Sequence, residues 1–169
     1  MPEQKVVILM GSRSDVDFAT SIADLLKHFD VKHEFRIASA HKTPKELVRI
    51  LEEYETSEEK ILYITVAGLS DALSGTVAGF TKYPVIACPP DSKEYRWNKV
   101  FSSMMTPRGV SVLFVAEPEN AALAAVKILA VSDSSLQNKV ARYQQKKREE
   151  VIAADKEVRR KKIAKRDME

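Results

Sequence analysis

The sequence predicts an α/β protein, a parallel sheet wound on both faces by helices, and three observations carry the prediction. Five short apolar runs recur along the chain, over residues 6–10, 31–37, 61–66, 84–88 and 110–116. Stretches with helical spacing alternate with them. Several of the runs empty into loops of small and hydroxylic residues, the pattern of strands that share one ligand crevice.

Val6-Val7-Ile8-Leu9-Met10 is uninterrupted and rich in β-branched residues, as in a strand buried on both faces. Gly11-Ser12-Arg13-Ser14-Asp15 follows, then a helix with Ala19, Ile22, Ala23 and Leu26 on one face, which Ser14 or Asp15 can cap. In the second strand Val31, His33, Phe35 and Ile37 alternate with Lys32, Glu34 and Arg36, the period of a half-buried strand. Ser39-Ala40-His41-Lys42 then turns into a helix with Thr43 as N-cap, Pro44 at the first helical position, and Leu47, Ile50, Leu51 and Tyr54 as its apolar stripe.

Ile61-Leu62-Tyr63-Ile64-Thr65-Val66 reads as a third buried strand, running into a loop over residues 67–75 that holds two glycines, two serines and an aspartate. The fourth strand is short and stops at Pro89-Pro90. Residues 95–105 look helical, and their Trp97, Val100, Phe101, Met104 and Met105 suit either the core or another subunit. Thr106-Pro107-Arg108-Gly109 is a turn by composition, with Arg108 open between phosphate ligand and solvated charge. A fifth strand and an alanine-rich helix over 119–129 complete the pattern. The flavodoxin-like strand order fits it best.

From residue 133 the apolar positions thin out to Leu136, Val140, Tyr143, Val151, Ile152, Val158 and Ile163. The expected organisation is one catalytic domain over 1–132 and a charged helical arm over 133–169. Residues 141–169 carry 11 Lys/Arg against 6 Asp/Glu, so the net charge of +3 is a property of the tail. Such a helix is an arm along a neighbouring subunit, a solvated helix, or, as a third option, a nucleic-acid contact. The body gives no reason to expect nucleic acid.

The 169 residues, 44% hydrophobic and 30% charged, fit one globular domain with a sizeable core. No apolar run approaches the roughly 18 residues of a membrane span. One cysteine, and an N-terminus that runs straight into a strand, lead to the expectation of a cytoplasmic protein. Three scattered histidines and Cys88 offer no metal-ligand spacing, so no metal is expected.

His41 falls outside the carboxyl end of a strand, where open α/β sheets bind ligands, and an imidazole there can trade protons near neutral pH. Lys42 beside it can hold an anion. The competing reading is an exposed His-Lys pair in a polar turn. The amides of residues 11–15, with a helix dipole behind them and the hydroxyls of Ser12 and Ser14 beside them, make a phosphate cradle, or merely a capped helix start. Asp15 suits ribose hydroxyls.

Four segments, in order, closely resemble the PurE family of purine biosynthesis: Met10-Gly11-Ser12-Arg13-Ser14-Asp15, Ser39-Ala40-His41-Lys42-Thr43-Pro44, Ala67-Gly68 with its serine-rich loop, and Tyr83-Pro84-Val85-Ile86-Ala87-Cys88-Pro89-Pro90. The resemblance covers residues 5–132. It implies a flavodoxin-like three-layer α/β/α sandwich, a homo-octamer with active sites between subunits, and a long C-terminal helix reaching a neighbour. The family has a mutase branch and a carboxylase branch, class II. Lys42 in place of the mutase arginine, a shorter 67–75 loop without histidine, and Cys88-Pro89-Pro90 in place of a Gly-Val-Pro type ending point to the carboxylase branch.

The resemblance then implies that aminoimidazole ribonucleotide (AIR) and carbon dioxide are converted to 4-carboxyaminoimidazole ribonucleotide without ATP, metal or biotin. His41 is the implied base and Lys42 the implied holder of phosphate or nascent carboxylate. Ser12, Ser14 and Asp15 are implied to fix phosphate and ribose, and Ser39, Gly68 and Ser70 the carboxylate end. The rivals are a mutase acting on N-carboxyaminoimidazole ribonucleotide and a non-catalytic nucleotide-binding module.

Overall fold

The computed structural model describes residues 3–90 and 100–166. The chain divides into two compact units, Met1–Leu129 and Ala130–Glu169. The first is built on five parallel strands, β1 (Gln4–Met10), β2 (Lys32–Ile37), β3 (Lys60–Val66), β4 (Val85–Ala87) and β5 (Leu113–Phe114). Their order, β2-β1-β3-β4-β5, is the flavodoxin-like one, and it reverses between β1 and β3. The strands are joined through α1 (Val16–His28), α2 (Pro44–Glu55), α3 (Ala72–Phe80) and α4 (Val100–Met104), with α5 (Pro118–Ala130) after β5.

Side chains alternate across a strand, so the inner strands β1 and β3 feed a core on each face of the sheet. On one face Val7, Leu9, Ile61, Tyr63 and Val85 pack with Leu47, Ile50, Leu51 and Tyr54 of α2 and Leu73 and Val77 of α3. Val6, Ile8 and Met10 turn to the other face, and Ala19, Ile22 and Leu26 of α1 are fully buried. α1 ends in a reversed turn in which Asp30 takes a left-handed φ of 58°. The Val31 and Asp30 amides return to the Leu26 and Lys27 carbonyls at 3.0 Å each, satisfying the last turn.

Three expectations change. The sequence pattern shows no helix between β3 and β4, yet α3 begins at Ala72 inside what reads as a loop. Its stripe of small residues carries little periodic contrast, and it is held by an Asp71 cap and by Leu73 and Val77. The fifth strand pairs over two residues only. And the alternation along β2 does not translate into a covered apolar face: Phe35 and Ile37 remain 42% and 47% exposed, because β2 lies at the sheet edge. Residues 95–99 of the expected helix lie outside the described residues, Trp97 among them. Phe101, Met104 and Met105 are exposed and not part of the core.

The face of β2 that registers with Val7 and Leu9 is polar. Arg36 bonds both Glu53 and the Tyr54 hydroxyl at 3.2 Å, and Tyr54 donates to Glu34. Nearby, Glu59 accepts from Lys5 at 2.6 Å and from Lys32 at 2.7 Å. Lys32 first, then Lys5, holds the Glu59 carboxyl below its ordinary 4.5. A carboxyl depressed on folding contributes stability above its unfolded value, and that contribution is lost as pH falls through the folded one. The urea midpoint is therefore expected to drop more between pH 6 and pH 3 in the parent than in Glu59→Gln.

Gly109 has φ +92° in the turn closed by the Val110 amide on the Pro107 carbonyl, 3.0 Å. A Cβ there meets nothing within 4 Å, so the cost of Gly109→Ala is purely conformational. It is expected to be about 1–2 kcal/mol by urea denaturation.

In the second unit α6 (Ser134–Arg166) is one helix of 33 residues, capped by Asp133 on the Leu136 amide at 3.0 Å. Leu136 and Val140 are buried, whereas Val151, Ile152 and Val158 are exposed.

Candidate active site

Register brings the loops together. Met10 pairs with both Ile37 and Val66, and Thr65 with Ala87, so the loops after β1, β2, β3 and β4 leave the sheet at one carboxyl edge, around the switch point. The seams continue past the strands: the Gly11 amide bonds the Val66 carbonyl at 2.8 Å, Ala38 the Met10 carbonyl at 3.0 Å, and Cys88 the Thr65 carbonyl at 2.9 Å.

The first loop is a 3-10 turn, Arg13–Asp15. Ser12 caps this turn, while Asp15 stands at the N-cap of α1, one of the two expected positions, without a side-chain cap bond to that helix. The Ser12 hydroxyl accepts the Ser14 amide at 3.2 Å, and Asp15 returns an oxygen to the Ser12 amide at 3.0 Å, a reciprocal capping box. The hydroxyls of Ser12 and Ser14 stand 2.5 Å apart. Asp15 is buried, while Ser14 faces solvent. Gly11 has an ordinary backbone and space for a Cβ, so the turn itself does not demand glycine.

The second loop is closed by its own hydroxyls. Thr43 Oγ1 accepts the Ser39 amide at 2.9 Å, and the Thr43 amide bonds the Ser39 carbonyl at 2.9 Å. Thr43 stands at the N-cap of α2, as expected, yet makes no side-chain cap bond: its hydroxyl points back into the loop. Ser39 Oγ accepts the Lys42 amide at 3.2 Å. Ala38 is buried and Ala40 packs against the core, so the loop is anchored on both sides of Ser39. His41 and Lys42, at its crest, are exposed.

The third loop meets the first. A Cβ built on Gly68 stands 3.7 Å from Asp15 Oδ1 and 3.9 Å from Pro90 Cγ, which places the β1, β3 and β4 loops in contact at one point. Ser70 and Leu69 beside it are exposed. Arg108 is exposed on the turn before β5.

What sequence reasoning missed lies behind this loop. Asp71 is 4% exposed, and its carboxylate accepts the Ser74 amide at 2.9 Å, the Ser74 hydroxyl at 2.5 Å and the Ser103 hydroxyl at 2.6 Å. Asp71 followed three residues later by Ser74 is a cap signal visible in the sequence. The reach to Ser103 is not. Cys88 is buried, and burial pushes its thiol up to about 12, so it is inert as a nucleophile.

Residues 5–150 match the model of the AIR carboxylase family. The chain belongs to that family, whose members are enzymes of purine biosynthesis. It is 47% identical over 155 residues to a phosphoribosylaminoimidazole carboxylase of Archaeoglobus fulgidus, covering 92% of this chain and 85% of that one. It is also 38% identical over 156 residues to an N5-carboxyaminoimidazole ribonucleotide mutase of Methanocaldococcus jannaschii, covering 91% and 97%. The crystal structure of PurE from Treponema denticola superposes with a TM-score of 0.89 at 42% identity, covering 92% of this chain and 98% of that one. The relatives thus include proteins named for two reactions. No helix among the described residues is long and apolar enough to cross a membrane.

Proposed function

We propose that this chain is the carboxylase: it joins carbon dioxide to carbon 4 of AIR, reversibly, giving 4-carboxyaminoimidazole ribonucleotide. The observation that carries this reading is that the Ser12–Asp15 turn and the Gly68 loop touch, and the His41 loop leaves the same edge of the sheet beside them, in a chain with 47% identity to a protein of that name. Lys42, the 67–75 loop without histidine and Cys88-Pro89-Pro90 support it over the mutase.

The chemistry asks little beyond positioning. Carbon 4 of the enamine-like ring attacks the carbon of CO2, a C–C bond forms, and one C=O pair moves to oxygen as carboxylate. Carbon 4 now carries its original proton as well. His41 takes that proton, and the C–H pair returns to the ring. In reverse His41 is the acid.

The Ser12 and Ser14 groups hold the phosphate and Asp15 the ribose. Because the Asp15 carboxylate would repel a phosphate, the tether to Ser12 matters: it keeps one oxygen occupied inside the turn, and since the Ser12 and Ser14 amides are taken there too, the two serine hydroxyls meet the phosphate. Ser39, Gly68 and Ser70 receive the carboxylate end, and Lys42 pairs with a negative oxygen there or on the phosphate.

Carbon dioxide binds weakly, so water must be kept from the reacting atoms. His41 is exposed in the single chain, and Phe35, Ile37 and Leu69 are apolar side chains left open on the same unit. Neighbouring copies, as in a homo-octamer with sites between subunits, supply the missing cover, and the exposed Val151, Ile152 and Val158 stripe of the 133–169 arm suits the same assembly. The partners are then AIR and CO2 in the cytoplasm, with no nucleic acid and no membrane.

The test is a pair of incubations of the pure protein, one with AIR and bicarbonate, one with the N-carboxylated isomer, each read for 4-carboxyaminoimidazole ribonucleotide. Product from the first alone is expected. Product from the second alone makes the chain a mutase. Binding of AIR with neither conversion makes it a non-catalytic module.

A further inference from the structure

Asp71 stands at the N-cap of α3, three residues after Gly68. An N-cap needs one oxygen, and Oδ1 supplies it to the Ser74 amide at 2.9 Å. The other oxygen has a different task. Oδ2 collects two hydroxyls, Ser74 at 2.5 Å and Ser103 at 2.6 Å, and Ser103 belongs to α4, 32 residues further along. The Asp71 amide in turn donates to Ser102 Oγ at 3.0 Å, so one residue grips α4 by backbone and side chain together. Behind Ser74 the Thr65 hydroxyl lies 2.7 Å from Ser74 Oγ and 3.2 Å from the Ile86 carbonyl, which ties the cluster to the ends of β3 and β4.

Asp71, Ser74, Thr65 and Ser103 are all at most 4% exposed. Burying a carboxylate is costly unless its lone pairs are taken, and hydrogen bonds to an ionised oxygen are the strong kind. Here that cost is met where a residue capping only a helix would not require it. The consequence is mechanical: Gly68, Leu69 and Ser70 span the gap between the end of β3 and a fixed point at Asp71, with Ala67 buried on one side.

We propose that Asp71 is a positioning residue, which fixes the Gly68–Ser70 loop by bracing it against Ser103 and Ser102 of α4, and thereby sets the geometry that receives the carboxylate of the substrate. This rests on the function proposed above for that loop. It makes α4 a support of the site, although none of its described residues need touch the nucleotide. The brace acts on the carboxylate end and not on the phosphate end, so it discriminates carboxylated from uncarboxylated nucleotide.

Three variants test it. Asp71→Asn keeps the cap but replaces an acceptor with a donor in front of two hydroxyls. Ser103→Ala removes one strut, and Ser102→Ala, at an exposed residue, removes the other with least risk to folding. In Ser103→Ala and Asp71→Asn the affinity for 4-carboxyaminoimidazole ribonucleotide by calorimetry is expected to fall about tenfold, with AIR affinity within about threefold, as for loss of a charge-assisted bond. Ser102→Ala should show the same preference at smaller size.

Amide hydrogen exchange over residues 67–71 should quicken in each, while β1 and the body of β3 keep their protection. Equal loss for both nucleotides, or unchanged exchange at 67–71, overturns the proposal. If the unaltered chain binds neither nucleotide, the purine reading itself fails, and the binding role of the brace with it. The exchange data alone then report whether the brace holds the loop.

Discussion

Replacing His41 by asparagine is expected to lower turnover by about 10³-fold, the size of a lost general base, while AIR binds within about threefold of the parent affinity. The structure makes this substitution clean. His41 sits at the crest of a loop that closes through Ser39 and Thr43, by bonds of 2.9 Å that do not involve the imidazole. Removing the ring therefore leaves the loop and the buried Ala38 in place. Steady-state rates together with calorimetry of AIR separate the two quantities. Substantial turnover in His41→Asn means that the proton leaves carbon 4 by another route.

Asp15→Ala is expected to have the second largest effect, and on a different quantity. The buried Asp15 carboxylate holds the Ser12 amide at 3.0 Å in a part-buried capping box, so its loss leaves that donor without its partner and loosens the whole turn. A stability loss of about 1–3 kcal/mol is expected from the orphaned group. Affinity for AIR should fall about 10- to 100-fold, because the phosphate and ribose contacts are both built on this turn. Ser14→Ala, which removes an exposed hydroxyl outside the box, should weaken AIR with little change in the urea midpoint. If AIR affinity is untouched by both changes, the phosphate is held elsewhere.

The parts of the fold that were legible in the sequence are those where one side chain pattern serves one environment. β1 and β3 are buried on both faces and read as unbroken apolar runs, and the stripes of α1 and α2 are the residues that pack on the sheet. Illegibility has a physical cause in each other case. Phe35 and Ile37 show the period of a half-buried strand, but burial also depends on what lies beside the strand, and at the edge nothing in the same unit covers them. α3 is built from small residues whose helical phase is weak, so its start was hidden among glycines and serines. Thr43 has the right position and residue type for a cap, yet its hydroxyl finds a better partner in Ser39, four residues back.

For the site the same division holds. The loops that leave neighbouring strands could be read from strand order, because parallel strands must end on the same edge. The bonds that tune them could not. The Asp71 to Ser103 contact joins residues 32 apart through two helices of different strand connections, a pairing that no local spacing encodes. The reciprocal bonds of Ser12 and Asp15 are local, and were within reach of the capping pattern. The resemblance to a family supplied roles for residues whose spacing alone left a solvated His-Lys pair as an equal reading.

The most direct measurement is a crystal structure of the protein soaked with AIR. The ring is predicted to lie with carbon 4 at about 3.5 Å from the His41 imidazole, a near-attack separation, with the phosphate on the hydroxyls of Ser12 and Ser14. A nucleotide bound with its ring away from the His41 loop, or with its phosphate on another part of the sheet, contradicts the account.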